Sequence, residues 1–83
     1  MYKILITERA LKDLNSLDQS TRRKLVLKLK EYSFSPFKYA RKLINPKIGM
    51  YRFRIGKYRV IFDIENEHII VLRIGHRRDI YKL

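Results

Sequence analysis

Alternation of apolar and polar residues is clearest between positions 51 and 64. Tyr51, Phe53 and Ile55 fall on one side of an extended chain, and Arg52 and Arg54 on the other. Gly56-Lys57 interrupts the run. Tyr58, Val60, Phe62 and Ile64 then oppose Lys57, Arg59, Ile61 and Asp63, which predicts a tight β-hairpin. Glu65-Asn66-Glu67 makes a second turn, its carboxylates serving solubility, and 68–74 is a nearly continuous apolar run suited to a strand covered on both faces.

The first half is helical in period. Residues 2–6 read as a short strand, Thr7 is a natural N-cap, and Glu8 places negative charge in the first turn of a helix. Ala10, Leu11, Leu14 and Leu17 recur at helical spacing and predict one core face. Asp18 can cap a second helix over about 19–32, with Leu25, Leu29 and Tyr32 facing inward and Val26 beside them. Ser33, Ser35, Pro36, Asn45 and Pro46 break up 33–47, predicting a loop with one helical turn around 39–43. The predicted order is βααβββ, an α+β fold: an N-terminal strand, a helical hairpin, then an antiparallel three-strand meander. The helices should pack on one face of a four-stranded antiparallel sheet and leave the other face partly open.

Composition narrows this further. At 83 residues the chain is expected to form one domain spanning 1–83, and with 46% hydrophobic residues it should fold on its own. Twenty Lys and Arg against 8 Asp and Glu give a net charge of +12, which calls for an anionic partner, either nucleic acid or an acidic protein. There is no cysteine, so disulfides, thiolate metal sites and cysteine nucleophiles are excluded together. Two histidines distant in sequence make no metal box, and no cofactor is expected. No secretory h-region occurs and the apolar runs are far shorter than the roughly 20 residues of a membrane span, so no membrane association and a cytoplasmic location are expected.

The charge is concentrated. No acidic residue falls between Tyr32 and Phe62, while Lys38, Arg41, Lys42, Lys47, Arg52, Arg54, Lys57 and Arg59 all do. Alternation puts Arg52 and Arg54 on one face, and the tight turn should return Arg59 beside them. A second basic group, Arg73, His76, Arg77 and Arg78, lies around Gly75 and should approach the hairpin from the last strand. An exposed strand face is often merely solvated. Guanidiniums that repel one another are better accommodated where a polyanion fills the space between them.

Tyr51-Arg52-Phe53-Arg54, then Tyr58-Arg59-Val60-Ile61-Phe62, then the run from Val71 through Gly75-His76-Arg77-Arg78 to Tyr81 together resemble the C-terminal half of the RelE/ParE toxin superfamily. Ile6-Thr7-Glu8-Arg9-Ala10-Leu11-Lys12-Asp13-Leu14 is similar to its N-terminal segment. The resemblance implies a compact toxin that enters the ribosomal A site and cuts messenger RNA without a metal by activating a ribose 2′-hydroxyl. It implies an acidic, partly disordered RelB-like antitoxin as partner, a monomeric free toxin and a heterotetramer with the antitoxin. By the same resemblance Arg59, Arg77 and Tyr81 take catalytic positions. Arg52 and Arg54 stand where RelE-type toxins carry lysines that contact the RNA backbone. Lys57, His76, Arg78 and Lys82 complete the expected RNA-binding set.

In-line attack by a 2′-oxygen places charge on the scissile phosphate, which fixed guanidinium donors can stabilise. A proton must leave the 2′-hydroxyl and another must reach the departing 5′-oxygen. Arginine stays protonated and is a poor acceptor, so the acceptor is Tyr81, His76 or the ribosomal substrate itself. Two other readings stand beside this one: a ParE-like toxin that inhibits DNA gyrase by binding, and a non-catalytic basic RNA-binding module. For the latter, Tyr51, Phe53 and Tyr58 are expected to face the core and offer no stacking platform.

Overall fold

The structure is a computed structural model that describes residues 1–44 and 47–82. Asn45 and Pro46, which punctuate the predicted loop, lie outside the described residues. The chain runs β1 (Lys3–Ile6), α1 (Glu8–Asn15), α2 (Gln19–Tyr32), α3 (Pro36–Tyr39), β2 (Arg41–Lys42), β3 (Tyr51–Ile55), β4 (Tyr58–Glu65) and β5 (His68–His76), ending in a 3-10 turn at Ile80–Lys82. The strands form one sheet in the order β1-β5-β4-β3-β2.

Both helix starts follow from their caps. The Thr7 hydroxyl accepts the Ala10 N–H at 3.2 Å and donates to the Val71 carbonyl at 2.9 Å, so it starts α1 and ties it to β5. The Asp18 carboxylate accepts from both the backbone and the hydroxyl of Thr21. Ala10 and Leu14 of α1 are buried, as are Leu25 and Leu29 of α2. Leu11, expected in the core, is 46% exposed, because only the stripe through Ala10 and Leu14 meets the sheet. Phe53 and Phe62 stack across the hairpin at 4.1 Å between ring centres, and Tyr32 packs edge-on against Phe53 at 5.1 Å. The hairpin thus sends its aromatic residues toward the helices and its arginines away from them.

Three features depart from the sequence expectation. The helical turn falls on Pro36–Tyr39, earlier than 39–43, because the fixed φ of Pro36 suits a first helical position. The sheet has a fifth strand, β2, which exists through its pairing with β3, Arg41 opposite Arg52 and Lys42 opposite Tyr51. The sheet is also mixed, since β1 runs parallel to β5 with Lys3 opposite His68 and Ile6 opposite Val71. Within β4 and β5 the register shifts at Ile61/Phe62, so that Val71 opposes Phe62 while Arg73 opposes Ile61. This bulge restores Gly75, opposite Arg59, to the face away from the helices.

β1 ends its pairing at Val71, and α1 covers the edge of β5 beyond it. The Thr7 N–H donates to the Val71 carbonyl at 3.1 Å. The Asp13 carboxylate accepts from the Ile74 N–H at 3.0 Å, from Arg73 Nε at 2.8 Å and from Arg73 Nη2 at 3.2 Å. Burial pushes the Asp13 pKa up, but the Arg73 hydrogen bonds, the Ile74 N–H and the charges of Arg73 and Arg9 outweigh it and hold it below the ordinary value of 3.8.

The face away from the helices is partly roofed. The Met50 N–H donates to Asp63 Oδ1 at 2.8 Å, and Gly49 lies so close that a Cβ there would stand 2.5 Å from Ile61 Cγ2. At the other end the 3-10 turn folds back and seats the fully buried Ile80 on Gly75, where a Cβ would meet Ile80 Cδ1 at 3.0 Å. A cleft lined by Ile48, Arg52 and Tyr81 remains between these two covers.

Candidate nucleic-acid interface

Cross-strand partners share a face of a sheet. Arg41 lies opposite Arg52, and Arg54 opposite Arg59, so four guanidinium-bearing residues from three adjacent strands occupy the face away from the helices. The alternation of the hairpin predicted three of them. Arg41 was not foreseen, because no periodic signal marks a strand of two residues.

Arg59 sits at the centre of this group and is only 8% exposed. Its Nη1 donates to the carbonyls of Gly56, at 3.0 Å, and Tyr58, at 2.9 Å, so the turn that returns the strand also fixes the guanidinium. Burial lowers its pKa first, followed by the charges of Arg54 and Arg52; Tyr81 acts in the opposite sense and Arg77 adds to the lowering. Arg59 remains a cation. These interactions place Arg52, Arg54, Arg77 and Tyr81 within electrostatic range of one buried guanidinium.

Tyr81 is 51% exposed and shares with Arg52 and Lys42 the lining of a cleft of about 430 Å³. Its place is set by the neighbouring Ile80, whose seat on Gly75 is open only because that residue has no side chain. Tyr81 is legible in the sequence, whereas its anchor is a contact between separate segments and leaves no local pattern. Lys57 is exposed at the hairpin turn, and Arg78 and Lys82 are exposed in the C-terminal segment.

The remaining expected residues are elsewhere. The backbone N–H of Arg77 donates to the Lys57 carbonyl at 2.8 Å, and the residue lines a separate cavity beside α2 with Lys24, Lys57 and Tyr58. His76 lies opposite Tyr58 and meets that ring edge-on at 5.6 Å, which puts it on the helix side of the sheet, away from the arginine face. Its Nδ1 accepts the Arg78 N–H at 3.1 Å and so pins the turn. Desolvation, then the charge of Arg78, lowers the His76 pKa; Asp79 opposes this, and Arg77 and Lys57 add to it. Arg73, counted with the second basic group, is held by Asp13. Among the described residues no three His, Asp or Glu side chains stand close enough to hold a metal ion, and no helix is long and apolar enough to cross a membrane.

A two-layer α+β fold with a buried arginine fixed among further cations defines the class, a small basic α+β protein. Residues 4–81 match the family described as ParE toxin of type II toxin-antitoxin system, parDE. Toxin RelG of Mycobacterium tuberculosis is 28% identical over 98% of this chain and 97% of its own length. Toxin RelE3 of Methanocaldococcus jannaschii is 30% identical over 95% and 94%. Among solved structures, the toxin-antitoxin complex RelBE2 of M. tuberculosis superposes with a TM-score of 0.81 at 25% identity, covering 92% of this chain and 98% of that one. The chain belongs to the ParE toxin family of type II toxin-antitoxin systems and is a toxin of the RelE type.

Proposed function

We propose that this toxin is a ribonuclease that cleaves messenger RNA in the ribosomal A site, by in-line attack of a ribose 2′-hydroxyl and without a metal. The observation that carries the reading is Arg59, nearly buried, fixed by two carbonyls and flanked by Arg52 and Arg54. A guanidinium held in this way needs no reorganisation when charge develops on a phosphate beside it, which is the condition for strong transition-state stabilisation. Arg52 and Arg54 supply further charge along the strand of phosphates. Attack forms a bond from the 2′-oxygen to phosphorus and breaks the bond to the 5′-oxygen, leaving a 2′,3′-cyclic phosphate and a 5′-hydroxyl. Tyr81 lines the cleft, and its hydroxyl is the candidate for handling one of the protons, whereas His76 stands on the other side of the sheet.

The partner that restrains the toxin is an acidic RelB-like antitoxin, in keeping with the RelBE2 toxin-antitoxin complex that the chain resembles and with its charge of +12. A monomeric free toxin, a heterotetrameric complex and action in the cytoplasm, where translating ribosomes are found, complete the reading.

The ParE name of the matching family favours a second reading, inhibition of DNA gyrase by binding. Ribosomes programmed with a defined A-site codon separate the two. Messenger ends appearing within that codon support the ribonuclease, and intact messenger with inhibited supercoiling by gyrase supports the alternative.

A further inference from the structure

We propose a second phosphate site on the helix side of the hairpin tip, formed by Lys24, Lys57 and Arg77, which holds a backbone phosphate of the bound RNA away from the scissile one. The inference rests on the ribonuclease reading and extends it to the path of the substrate.

A cavity of about 410 Å³ opens between α2 and the Gly56-Lys57 turn. Its apolar wall is Leu25, Ile55 and Tyr58, and its cations come from three separate elements: Lys24 from α2, Lys57 from the turn, and Arg77 from the segment after β5. Lys24 reaches across to the turn, its Nζ lying 3.9 Å from where a Cβ on Gly56 would stand. The hydrogen bond from the Arg77 N–H to the Lys57 carbonyl, 2.8 Å, locks the second and third elements together. Among the described residues the ion pairs are Lys28 with Glu31 and Arg73 with Asp13, so none of these three cations is paired with a carboxylate. Cations gathered in one concavity without a carboxylate raise the local concentration of anions.

Continuity with the arginine face favours an RNA strand as the occupant. The carbonyls of Gly56 and Tyr58 that bracket Lys57 are the ones that hold Arg59, so the same turn carries Arg59 on one side and Lys57 on the other. A single strand passing over the hairpin tip would present successive phosphates first to Arg54 and Arg59 and then to this cavity. Arg77 thereby becomes a backbone anchor beside the arginine face, whose field it shares through Arg59.

The test measures binding of the intact toxin to a fluorescent single-stranded 2′-O-methyl oligoribonucleotide, which cannot be cut, across a range of salt concentrations. Losing one phosphate contact should lower the slope of log affinity against log salt by about 0.7 in Lys24→Gln, and Lys24→Arg should restore it. Lys24 is exposed, so both variants should fold. An unchanged slope in Lys24→Gln overturns the inference and leaves the ribonuclease reading standing; weaker capture of an acidic peptide by that variant would then assign the cavity to protein. In a second arm, amide shifts are followed by NMR. Movement of Lys24 and Lys57 with inorganic phosphate but not with the oligonucleotide would mark a free-anion site and also overturn the inference. Salt-insensitive or absent oligonucleotide binding by the unaltered toxin would overturn this inference, while messenger cleavage on programmed ribosomes decides the ribonuclease reading separately.

Discussion

Replacing Asp13 with alanine removes the group that closes the free edge of β5. Three hydrogen bonds disappear, two from Arg73 at 2.8 and 3.2 Å and one from the Ile74 N–H at 3.0 Å. The Arg73 and Asp13 side chains are 20% and 14% exposed, so the pair is largely but not fully withdrawn from water. Removing one partner of a fully buried pair costs about 3–5 kcal/mol. Scaled down for the remaining exposure, the expected loss here is about 2–3 kcal/mol, or about 10–20 °C in Tm for a chain of this size. Urea denaturation of both proteins measures it. The pH dependence gives the check on mechanism. Because the folded Asp13 pKa lies below 3.8, the ion pair contributes its full stability above that value and loses it as pH falls through the folded pKa. The difference between the unaltered protein and Asp13→Ala should therefore narrow in acid. A loss under about 0.5 kcal/mol, or a difference that stays constant through the acid range, would refute the reasoning.

Gly75→Ala should press Ile80 back by a few tenths of an ångström, since the added Cβ would stand 3.0 Å from Ile80 Cδ1. The expected cost is about 1 kcal/mol in thermal unfolding, with a larger proportional fall in messenger cleavage because Tyr81 moves with its neighbour. Gly49→Ala combines a φ of +152° with a Cβ 2.5 Å from Ile61 Cγ2, and should cost about 2 kcal/mol or more by urea titration. His76 should titrate below 6.5 by NMR, and its contribution to stability should be complete above 6.5 and decline as pH falls through that value. Since His76 lies across the sheet from Arg59, His76→Gln should keep cleavage within about tenfold of the unaltered toxin, whereas a catalytic acid or base is worth about 10²–10⁴.

The hairpin was legible because alternation fixes which side chains share a face. Arg52, Arg54 and Arg59 therefore fall together as their spacing predicts, and the caps at Thr7 and Asp18 act as their side chains allow. What escaped the sequence depends on contacts between distant segments. β2 becomes a strand only against β3, and the parallel pairing of β1 leaves no trace in the local pattern of either strand. Arg73 carries the same charge as Arg77, and only the position of Asp13, sixty residues away on α1, makes it structural. The separation of His76 from the arginine face follows from the bulge in β5, which adds a residue and reverses the alternation beyond it. Gly75 carries a signal of the opposite kind: a small residue opposite Arg59, whose purpose emerges once Ile80 is seated on it.

A fixed Arg59 that stabilises attack by a ribose 2′-oxygen is tested most directly by single-turnover cleavage on ribosomes programmed with messenger carrying ribose or a single 2′-deoxyribose at the scissile nucleotide. The 2′-deoxy messenger should stay intact, and Arg59→Ala should slow cleavage of the all-ribose messenger by about 10²–10³-fold. Cleavage of the 2′-deoxy messenger at the ordinary rate, or an Arg59→Ala toxin as fast as the unaltered one, would contradict it.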